Sequence, residues 1–402
     1  MKSIIILITG FIMVATSLYA QTGDSLQNIY QNSAERLLST NGNLLIGGYG
    51  EVHYNQLMNT VTRNNGKFDV HRIVMLFGYR FNKRIQFISE IEFEHVKEVF
   101  VEQAFMQYKI NDFINLRGGL LLIPMGIINE YHEPTAFNGV ERPLSDKYIS
   151  PTTWREIGLG LSGNIYPLKM KYQAYIVNGF KSYDGEANLN GQNGLRNGRQ
   201  KGAEAFASSP NFSGKIEFYG MRGLNIGLSG YFGKTQSSLF QGVSKDDKRI
   251  MAKADSSVVK ISMIGLDARY SMKGFQLRGQ YYFTSISNTN QYNVFTADNG
   301  IVNDLGSSMT GYYVEVGYNV FRLLDGIGTE LIPFLRYEAL DTQNTVEKDI
   351  VKNEQYNQVM ITTGITWKIV KGAVLKADVQ FLKSEADDKY ANVFNVGFGY
   401  MF

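Results

Sequence analysis

From residue 45 onward, apolar and polar side chains alternate along one short segment after another. Successive side chains of a β-strand point to opposite faces, so each segment predicts a strand with one apolar and one polar face. Each is about ten residues long, as expected of a strand that crosses a membrane. The clearest apolar sets are Tyr312, Val314, Val316, Tyr318 and Val320; Phe275, Leu277, Gly279, Tyr281 and Phe283; Val359, Ile361, Thr363, Ile365, Trp367 and Ile369; and Leu375, Ala377, Val379 and Phe381.

The connections between these segments alternate in length. The short ones are turns at residues 82–83, 111–112, 220–223, 271–274 and 370–372. The long ones are polar and cover residues 181–210, 234–256, 287–308 and 341–356. Short turns at one end and long loops at the other are typical of bacterial outer-membrane barrels, which also have an even number of strands.

Counting from Leu45 gives about sixteen strands. We therefore predict an all-β chain that forms a transmembrane antiparallel β-barrel over residues 44–402. A barrel of this size encloses a water-filled channel. The alternation is less regular in three places, where a slip of one residue would exchange the two faces: residues 68–79, 99–110 and 162–165.

Residues 124–151 form a connection unlike the others, irregular and polar, with Pro134, Pro143 and Pro151. Prolines limit flexibility because they fix backbone φ, and a loop this long inside a compact protein is usually functional or disordered. As the third long-side loop, it is predicted to fold into the barrel and narrow the channel; an exposed surface loop is the alternative. Its residues that can pack against the wall are Ile127, Ile128, Phe137 and Val140.

The chain begins with a pattern typical of a secretory signal. Lys2 precedes an apolar run at residues 4–14, and small residues precede Gln21. This predicts a signal peptide at residues 1–20, because the apolar run is short for a membrane anchor. Residues 21–43 are polar and can form a short amphipathic helix. We predict a periplasmic, solvated leader there, with a plug at the barrel foot as the alternative.

The last strand ends on an aromatic face. This face resembles the C-terminal signal through which the barrel-assembly machinery recognises outer-membrane barrels for insertion. An ordinary apolar closing strand is the alternative. The resemblance implies that machinery as a partner, outer-membrane lipid around the barrel and a location in the bacterial outer membrane. The residues of the face are Phe394, Val396, Phe398, Tyr400 and the terminal Phe402.

Composition excludes several classes of function. The chain has no cysteine, which excludes disulfides and thiolate metal sites. A formal net charge of +3 indicates no nucleic-acid partner. No cofactor is indicated.

The chain has four histidines but neither a G-x-S-x-G elbow nor an H-E-x-x-H motif, so we predict no enzymatic activity. Glu92 and Glu94 beside His95 could bind a cation. Strand alternation, however, puts the two carboxylates on one face and His95 on the other, which favours solvated pore-wall groups and no metal site. The glycines between residues 191 and 202 lack the strand-to-helix context of a phosphate loop. They predict a flexible, solvated loop tip, whose basic residues could still draw anions: Arg196, Arg199 and Lys201.

One segment carries a family resemblance. The run FNGVERPLSDKYISPTTWREIGLGLSG at residues 137–163 resembles the hallmark segment of the phosphate-selective porin O and P family, particularly its Bacteroidetes-type members. The resemblance implies a sixteen-stranded, homotrimeric outer-membrane channel for ion transport, with lysines and arginines that bind anions along the pore. Supporting matches lie at residues 68–72, 87–95, 101–112 and 172–180.

Charged residues of both signs are expected to face the channel. Opposite charges two residues apart are as compatible with wall ion pairs as with a conduction path, and Arg142 could pair with Glu141 or Glu156. The residues expected nearest the constriction or in solute binding are His132, Arg142, Lys147, Arg155 and Arg117. Those expected on the pore wall are Glu90, Glu92, Glu94, Arg269, Arg278, Arg336 and Lys376.

The sequence therefore predicts a porin for passive diffusion of small hydrophilic solutes, with a preference for anions or phosphate left open. The alternative is a plugged outer-membrane receptor or adhesin that acts through its long loops.

Overall fold

The computed structural model describes residues 30–58 and 62–402. Within them, sixteen antiparallel strands form one closed barrel, in which every strand pairs with its neighbours in the chain and the last strand pairs with the first. The predicted sixteen-stranded antiparallel barrel is confirmed. The predicted signal peptide and residues 21–29 lie outside the described residues.

The barrel strands vary from eight to sixteen residues in length. They are β1 (Leu44–Met58), β2 (Lys67–Arg80), β3 (Ile85–Glu94), β4 (Glu98–Lys109), β5 (Asn115–Leu122), β6 (Arg155–Ile165), β7 (Met170–Val177), β8 (Asn211–Met221), β9 (Leu224–Lys234), β10 (Lys260–Met272), β11 (Phe275–Ser287), β12 (Ser308–Tyr318), β13 (Glu330–Thr345), β14 (Asn357–Val370), β15 (Ala373–Ser384) and β16 (Ala391–Met401).

Short elements occupy the connections. The strands Lys181–Tyr183 and Gln236–Ser237 pair in parallel between two of the long loops. Across residues 30–58 and 62–402, no helix has the length and apolar character needed to cross a membrane. The helices are α1 (Ser33–Ser39), α2 (Ser145–Tyr148), α3 (Lys248–Ser256) and α4 (Thr289–Phe295), and the single 3-10 turns are Tyr166–Leu168, Arg196–Gly198, Ser238–Phe240, Val320–Leu323 and Glu354–Tyr356.

The strands keep the two faces that the alternation predicts. In β11, Leu277 and Tyr281 are exposed on the outside of the barrel. Gln280 and Tyr282, the two residues that flank Tyr281, are buried inside. The outer wall is therefore apolar and the inner wall polar, as expected for a barrel surrounded by lipid. Closure of the barrel gives every wall strand a partner on both sides, which leaves no open edge.

A β-bulge interrupts the pairing of β1 and β2. Glu51 faces Arg72, but the next residue, Val52, faces Val70, so His71 is the extra residue. After the bulge, even-numbered residues of β2 face the inside, whereas before it odd-numbered residues do. Phe68, which precedes the bulge, is therefore on the outside and is 82% exposed. A bulge re-aims side chains in this way, and it is the reason why alternation alone left the register of this segment uncertain.

A second bulge lies next to the first, between β3 and β4. Glu90 faces Gln103 and the next residue, Ile91, faces Val101, which leaves Glu102 extra. Glu102 and Gln103 are both buried in the barrel. The second irregular segment of the sequence thus has the same physical cause as the first.

Helix α1 packs inside the short-turn end of the barrel. Leu37 and Leu38 are buried there. The carboxylate of Glu35 lies 2.6 Å from Lys171 on β7, and a guanidinium nitrogen of Arg36 lies 3.1 Å from Glu133. The prediction of a solvated leader is therefore wrong for residues 33–39. The alternative of a plug describes them, because two apolar side chains and two ion pairs hold this helix to the interior.

Candidate functional site

The connection between β5 and β6, residues 123–154 and hereafter the inner loop, lies across the barrel interior. The Lys215 ammonium donates to the Gly126 carbonyl at 2.7 Å, and the Tyr282 hydroxyl donates to Asp146 at 2.9 Å. On another side, Asp378 accepts the Val140 amide at 2.6 Å. These wall residues belong to β8, β11 and β15, so the loop bonds to distant parts of the wall.

Apolar packing adds to these bonds. The loop side chains Ile127, Ile128, Tyr131 and Phe137 form a small buried cluster against Tyr30 of the N-terminal segment. Burial of this apolar area favours the inward position over an extended, solvated one. The Lys376 ammonium lies 3.7 Å from the centre of the Phe137 ring, a cation–π contact.

Charged wall residues predicted to line the pore instead hold the inner loop. Arg336 is 1% exposed and lies 2.6 Å from Glu338 and 3.4 Å from Glu315. The same guanidinium donates to the carbonyls of Asn138 and Glu141 at 3.3 and 3.0 Å. One arginine therefore neutralises wall carboxylates and supports the loop backbone.

Three other predicted wall or constriction cations are likewise bound to protein groups, and two of them contact the inner loop. Arg278 lies 3.1 Å from Glu315 and donates to the Ala136 carbonyl. Arg269 lies 2.8 Å from Glu217 and stacks on the ring of Tyr131. Arg117 donates to Gln107 at 2.8 Å near α1.

His132, which the sequence places in the constriction, is buried in an ionic cluster. Its Nε2 lies 3.3 Å from Glu102 and 3.7 Å from Glu90, and Glu90 also accepts the Tyr49 hydroxyl at 2.7 Å. Burial alone would lower the pKa of His132, but Glu102 and Glu90 together raise it to about 10. The imidazolium therefore holds the loop to β3 and β4. It does not line the outer cavity described next.

A cavity of about 270 Å³ lies between the inner loop and the long loops, and we call it the outer cavity. It contains three of the five predicted constriction residues and two of the predicted wall residues. Its lining residues are Glu51, His53, His71, Glu92, Glu94, His95, Phe100, Val140, Glu141, Arg142, Asp146, Lys147, Thr152, Thr153, Arg155, Arg196, Arg199 and Lys201.

One side of the outer cavity is cationic. Arg155 is 2% exposed and donates to the carbonyl and hydroxyl of Thr153. Arg199 donates to the carbonyls of Arg196 and Thr152. Lys201 and Arg155 both lie over one aromatic ring, that of Phe100, at 4.3 and 5.6 Å from its centre.

In the described part of the chain, no carboxylate forms an ion pair with Arg155, Arg199 or Lys201. The Nε of Arg155 is buried and has no hydrogen-bond partner among the described residues. Burial and the neighbouring guanidinium groups of Arg196 and Arg155 lower the pKa of Arg199 to about 9. Positive charge is therefore concentrated on this side of the cavity, where no carboxylate of the described residues is in ion-pair contact with these three cations.

The opposite side of the outer cavity carries the histidines and most of the carboxylates. His53 Nε2 lies 3.4 Å from Glu51, and the His53 ring stacks on the His71 ring with centres 4.5 Å apart. His95 Nε2 lies 3.7 Å from Glu94. The prediction that His95 and Glu94 point to opposite faces is wrong, because β3 ends at Glu94 and His95 adopts a left-handed backbone with φ of 52°.

The long loop at residues 181–210 folds over the barrel mouth. It was not predicted from the sequence to be part of the site. Leu189 and Leu195 are fully buried, and the Leu195 amide donates to the Tyr148 carbonyl at 2.9 Å. The prediction of a flexible, solvated loop tip is therefore wrong. The available signal was the pair of leucines among the glycines, which gives the loop an apolar core of its own.

No protein-family profile matches the chain. An uncharacterized protein of Aquifex aeolicus (strain VF5) is 31% identical over 397 residues, which cover 96% of this chain and 84% of that protein.

Two solved structures resemble the barrel. The anion-selective porin from Comamonas acidovorans has 11% identity and a TM-score of 0.55, with 89% of this chain and 99% of that chain covered. The outer-membrane channel DcaP of Acinetobacter baumannii has 11% identity and a TM-score of 0.56, with 89% and 97% covered. At such identities the likeness shows the fold, which is that of the outer-membrane porins. The chain thus has a porin fold and belongs to the same family as the Aquifex aeolicus protein.

Proposed function

We propose that this protein is an outer-membrane porin through which small hydrophilic solutes diffuse passively, with a preference for anions. The observation that carries the proposal is the cationic side of the outer cavity, where Arg155, Arg199 and Lys201 form no ion pair with a described carboxylate. Selective anion passage needs converging cations of this kind.

The position of these cations supports their role. They line the outer cavity beside the inner loop, so an anion that enters past the long loops meets them before it passes the inner loop. Buried positive charge with low-dielectric walls raises the local concentration of anions. The deeper cations, such as Lys215 and Arg336, are neutralised by carboxylates and act as supports of the inner loop.

The chemistry of the cationic side suits oxyanions. A guanidinium presents its donors in a planar fork that matches carboxylate and phosphate oxygens. Arg155 and Arg199 supply two such groups to the outer cavity. We propose further that phosphate is the preferred anion and that the chain belongs to the phosphate-selective porin O and P family.

A second candidate function is a plugged receptor or adhesin. Extensive contacts inside the barrel favour it: α1 packs at the short-turn end, and the inner loop bonds to several wall strands. In that case the long loops would carry the function and no steady current would pass.

We also propose how the protein reaches its place of action. Residues 1–20 direct export, the barrel resides in the bacterial outer membrane, and the barrel-assembly machinery recognises the strand that ends at Phe402. The apolar outer wall serves contact with lipid and with two further copies in a homotrimer. Migration of the unheated protein on a denaturing gel, compared with the heated one, measures the trimer.

Single-channel recording in a planar bilayer tests the function. In a KCl gradient, the proposal predicts open steps in groups of three and a reversal potential shifted from zero towards the equilibrium potential of chloride. Added phosphate should block the current. Open steps with a preference for cations would support a porin but contradict the proposed preference for anions. Absence of steps from a gel-verified trimer would favour the plugged receptor.

A further inference from the structure

Three of the four histidines of the chain lie together at the outer cavity, although they are distant in the sequence. His53 stacks on His71 with an interplanar angle of 12°, and His71 meets His95 edge-on with ring centres 5.4 Å apart. Asp69 lies beside the last two. Nothing in the proposed conduction of anions requires such a group.

The two neighbouring histidines share one carboxylate oxygen. Asp69 Oδ2 lies 3.3 Å from His71 Nδ1 and 2.7 Å from His95 Nδ1. One donor atom from each of the three side chains lies within 4.8 Å of the others. In a tetrahedral zinc site with bonds of about 2.0–2.2 Å, donors are about 3.3–3.6 Å apart, so small side-chain movements bring all three onto one ion.

The backbone positions these donors. The bulge in β2 makes His71 the extra residue and turns Asp69 to the inside. The left-handed backbone at His95, immediately after β3, directs its ring towards Asp69 and not towards the lipid. Without the bulge, Asp69 and His71 would face the lipid, and without the left-handed backbone His95 would face it; loss of either irregularity alone would separate His95 from the other two.

We propose that Asp69, His71 and His95 bind a divalent transition-metal ion, of the class of Zn²⁺, at the rim of the outer cavity. Two imidazoles and one carboxylate are typical protein ligands of zinc, and such a set leaves the fourth position to water. The same ligands disfavour Ca²⁺ and Mg²⁺, which take oxygen donors.

The surroundings fit the proposed ion. Glu94 lies 3.7 Å from His95 Nε2, so a small side-chain movement would let it accept a hydrogen bond from Nε2–H and fix the ring while Nδ1 binds metal. Access is open from outside, because Asp69, His71 and His95 are 30%, 26% and 46% exposed.

A second group with suitable ligands, Glu90, Glu102 and His132, lies deeper in the barrel. All three side chains are buried, and Glu90 is already bonded to Tyr49 and Gln103. The accessible group is therefore the one that we assign.

Binding of Co²⁺ to the full barrel in detergent tests the assignment, because cobalt replaces zinc in such sites and gives a visible spectrum. We expect one Co²⁺ per chain, displaced by Zn²⁺ and unaffected by millimolar Mg²⁺. In H95N and D69N, Co²⁺ should bind at least about tenfold more weakly, since loss of outer-shell partners alone costs about 10–100-fold.

The matched control is H53N, which changes a histidine of the same cluster that is not a proposed ligand. It should keep Co²⁺ affinity within about twofold, well below the effect of losing a ligand. Equal loss in H53N, or unchanged binding in both H95N and D69N, would overturn the assignment. If a variant fails to give the folded band on an unheated gel, the wild type still decides: Zn²⁺ should protect His71 and His95 from carbethoxylation, and lack of protection refutes the site. None of these measurements depends on conduction.

Discussion

Lys215 on the barrel wall lies 2.7 Å from Glu130 on the inner loop, and both side chains are almost fully buried. The same ammonium lies 3.2 Å from Asp267 on β10 and donates to the Gly126 carbonyl. A single cation thus joins two wall strands to two points of the loop. The inner loop is therefore held by buried charge here, as it is at Arg336 and His132, and by apolar packing around Phe137.

Replacing Lys215 by Met should destabilise the barrel. The substitution leaves Glu130 and Asp267 buried without their cation, and breaking a buried pair from one side costs roughly 3–5 kcal/mol. The folded band on unheated gels should therefore disappear at a lower temperature or urea concentration than in the wild type. Single-channel currents should also become noisier, because the loop loses an anchor.

The matched control is Lys109→Met. Lys109 and Asp112 are also 2.7 Å apart, but this pair is exposed in a short turn. Exposed pairs contribute little to stability, so the unfolding transition should hardly move. Equal effects of the two substitutions would show that Lys215 does not anchor the loop.

Removing cations from the outer cavity should weaken the anion preference. Two unit charges 5 Å apart in water interact by about 0.8 kcal/mol, which corresponds to roughly a fourfold change in local anion concentration before salt screening. R199Q and K201Q should each lower the chloride-to-potassium permeability ratio, by about twofold at low salt. Reversal potentials in a KCl gradient measure this.

Lys253→Gln serves as the control for charge. Lys253 lies on α3 in another long loop and does not line the outer cavity. Its removal changes the net charge by the same amount and should leave the permeability ratio unchanged. A shift as large as that in K201Q would mean that overall charge, and not the cavity, sets selectivity.

Acidification should increase the anion preference through Asp146. Burial raises the pKa of this carboxyl to about 7. The hydrogen bond that Asp146 accepts from the Tyr282 hydroxyl acts in the opposite direction and lowers the pKa. Glu338 raises the pKa further, whereas Arg336 and Arg142 lower it. Since the carboxyl gains a proton as pH falls from 8 to 6, the outer cavity loses a negative charge over this range.

The permeability ratio for anions should therefore rise as pH falls. In D146N this part of the rise should be absent, and the difference between the two proteins isolates Asp146 from the nearby histidines. The native state also holds this proton more tightly than the unfolded chain does, so ionisation of the group opposes folding, and it opposes folding less at pH 6 than at pH 8. Identical pH profiles in wild type and D146N would contradict the assignment.

Alternation was sufficient to predict the barrel because wall strands are defined by local pattern. It also placed Arg142, Lys147 and Arg155 near one another, since they belong to one loop and the strand after it. Alternation could not predict the pairing of Lys215 with Glu130, because the two residues are 85 positions apart. Such a contact depends on how the inner loop crosses the barrel, which no local pattern specifies.

The metal ligands were missed for a more specific reason. Period-two alternation assumes an uninterrupted ladder, and the bulge at His71 and the left-handed backbone at His95 both break it. Each irregularity moves a side chain to the opposite face. The sequence contained the correct residue types but gave no signal that two irregularities turn them to the inside of the wall.

Glycines of the last strand make room for the inner loop, and this gives a further prediction. Gly397 and Gly399 are buried on the inner face of β16. A Cβ atom at Gly399 would lie 2.4 Å from the Cβ of Pro134, and one at Gly397 would lie 3.3 Å from Val140. The proline ring cannot move aside without its backbone.

Gly399→Leu should therefore displace the inner loop from the wall. Overpacking of a filled interior costs typically about 1–3 kcal/mol, and release of the loop should raise single-channel conductance. Val396→Leu on the outer face of the same strand is the control, because its side chain is exposed on the side away from the inner loop. A destabilised barrel with unchanged conductance would mean that the strand yields and the loop stays. Higher conductance in Gly399→Leu alone would show that contact between the last strand and Pro134 helps to set the width of the channel.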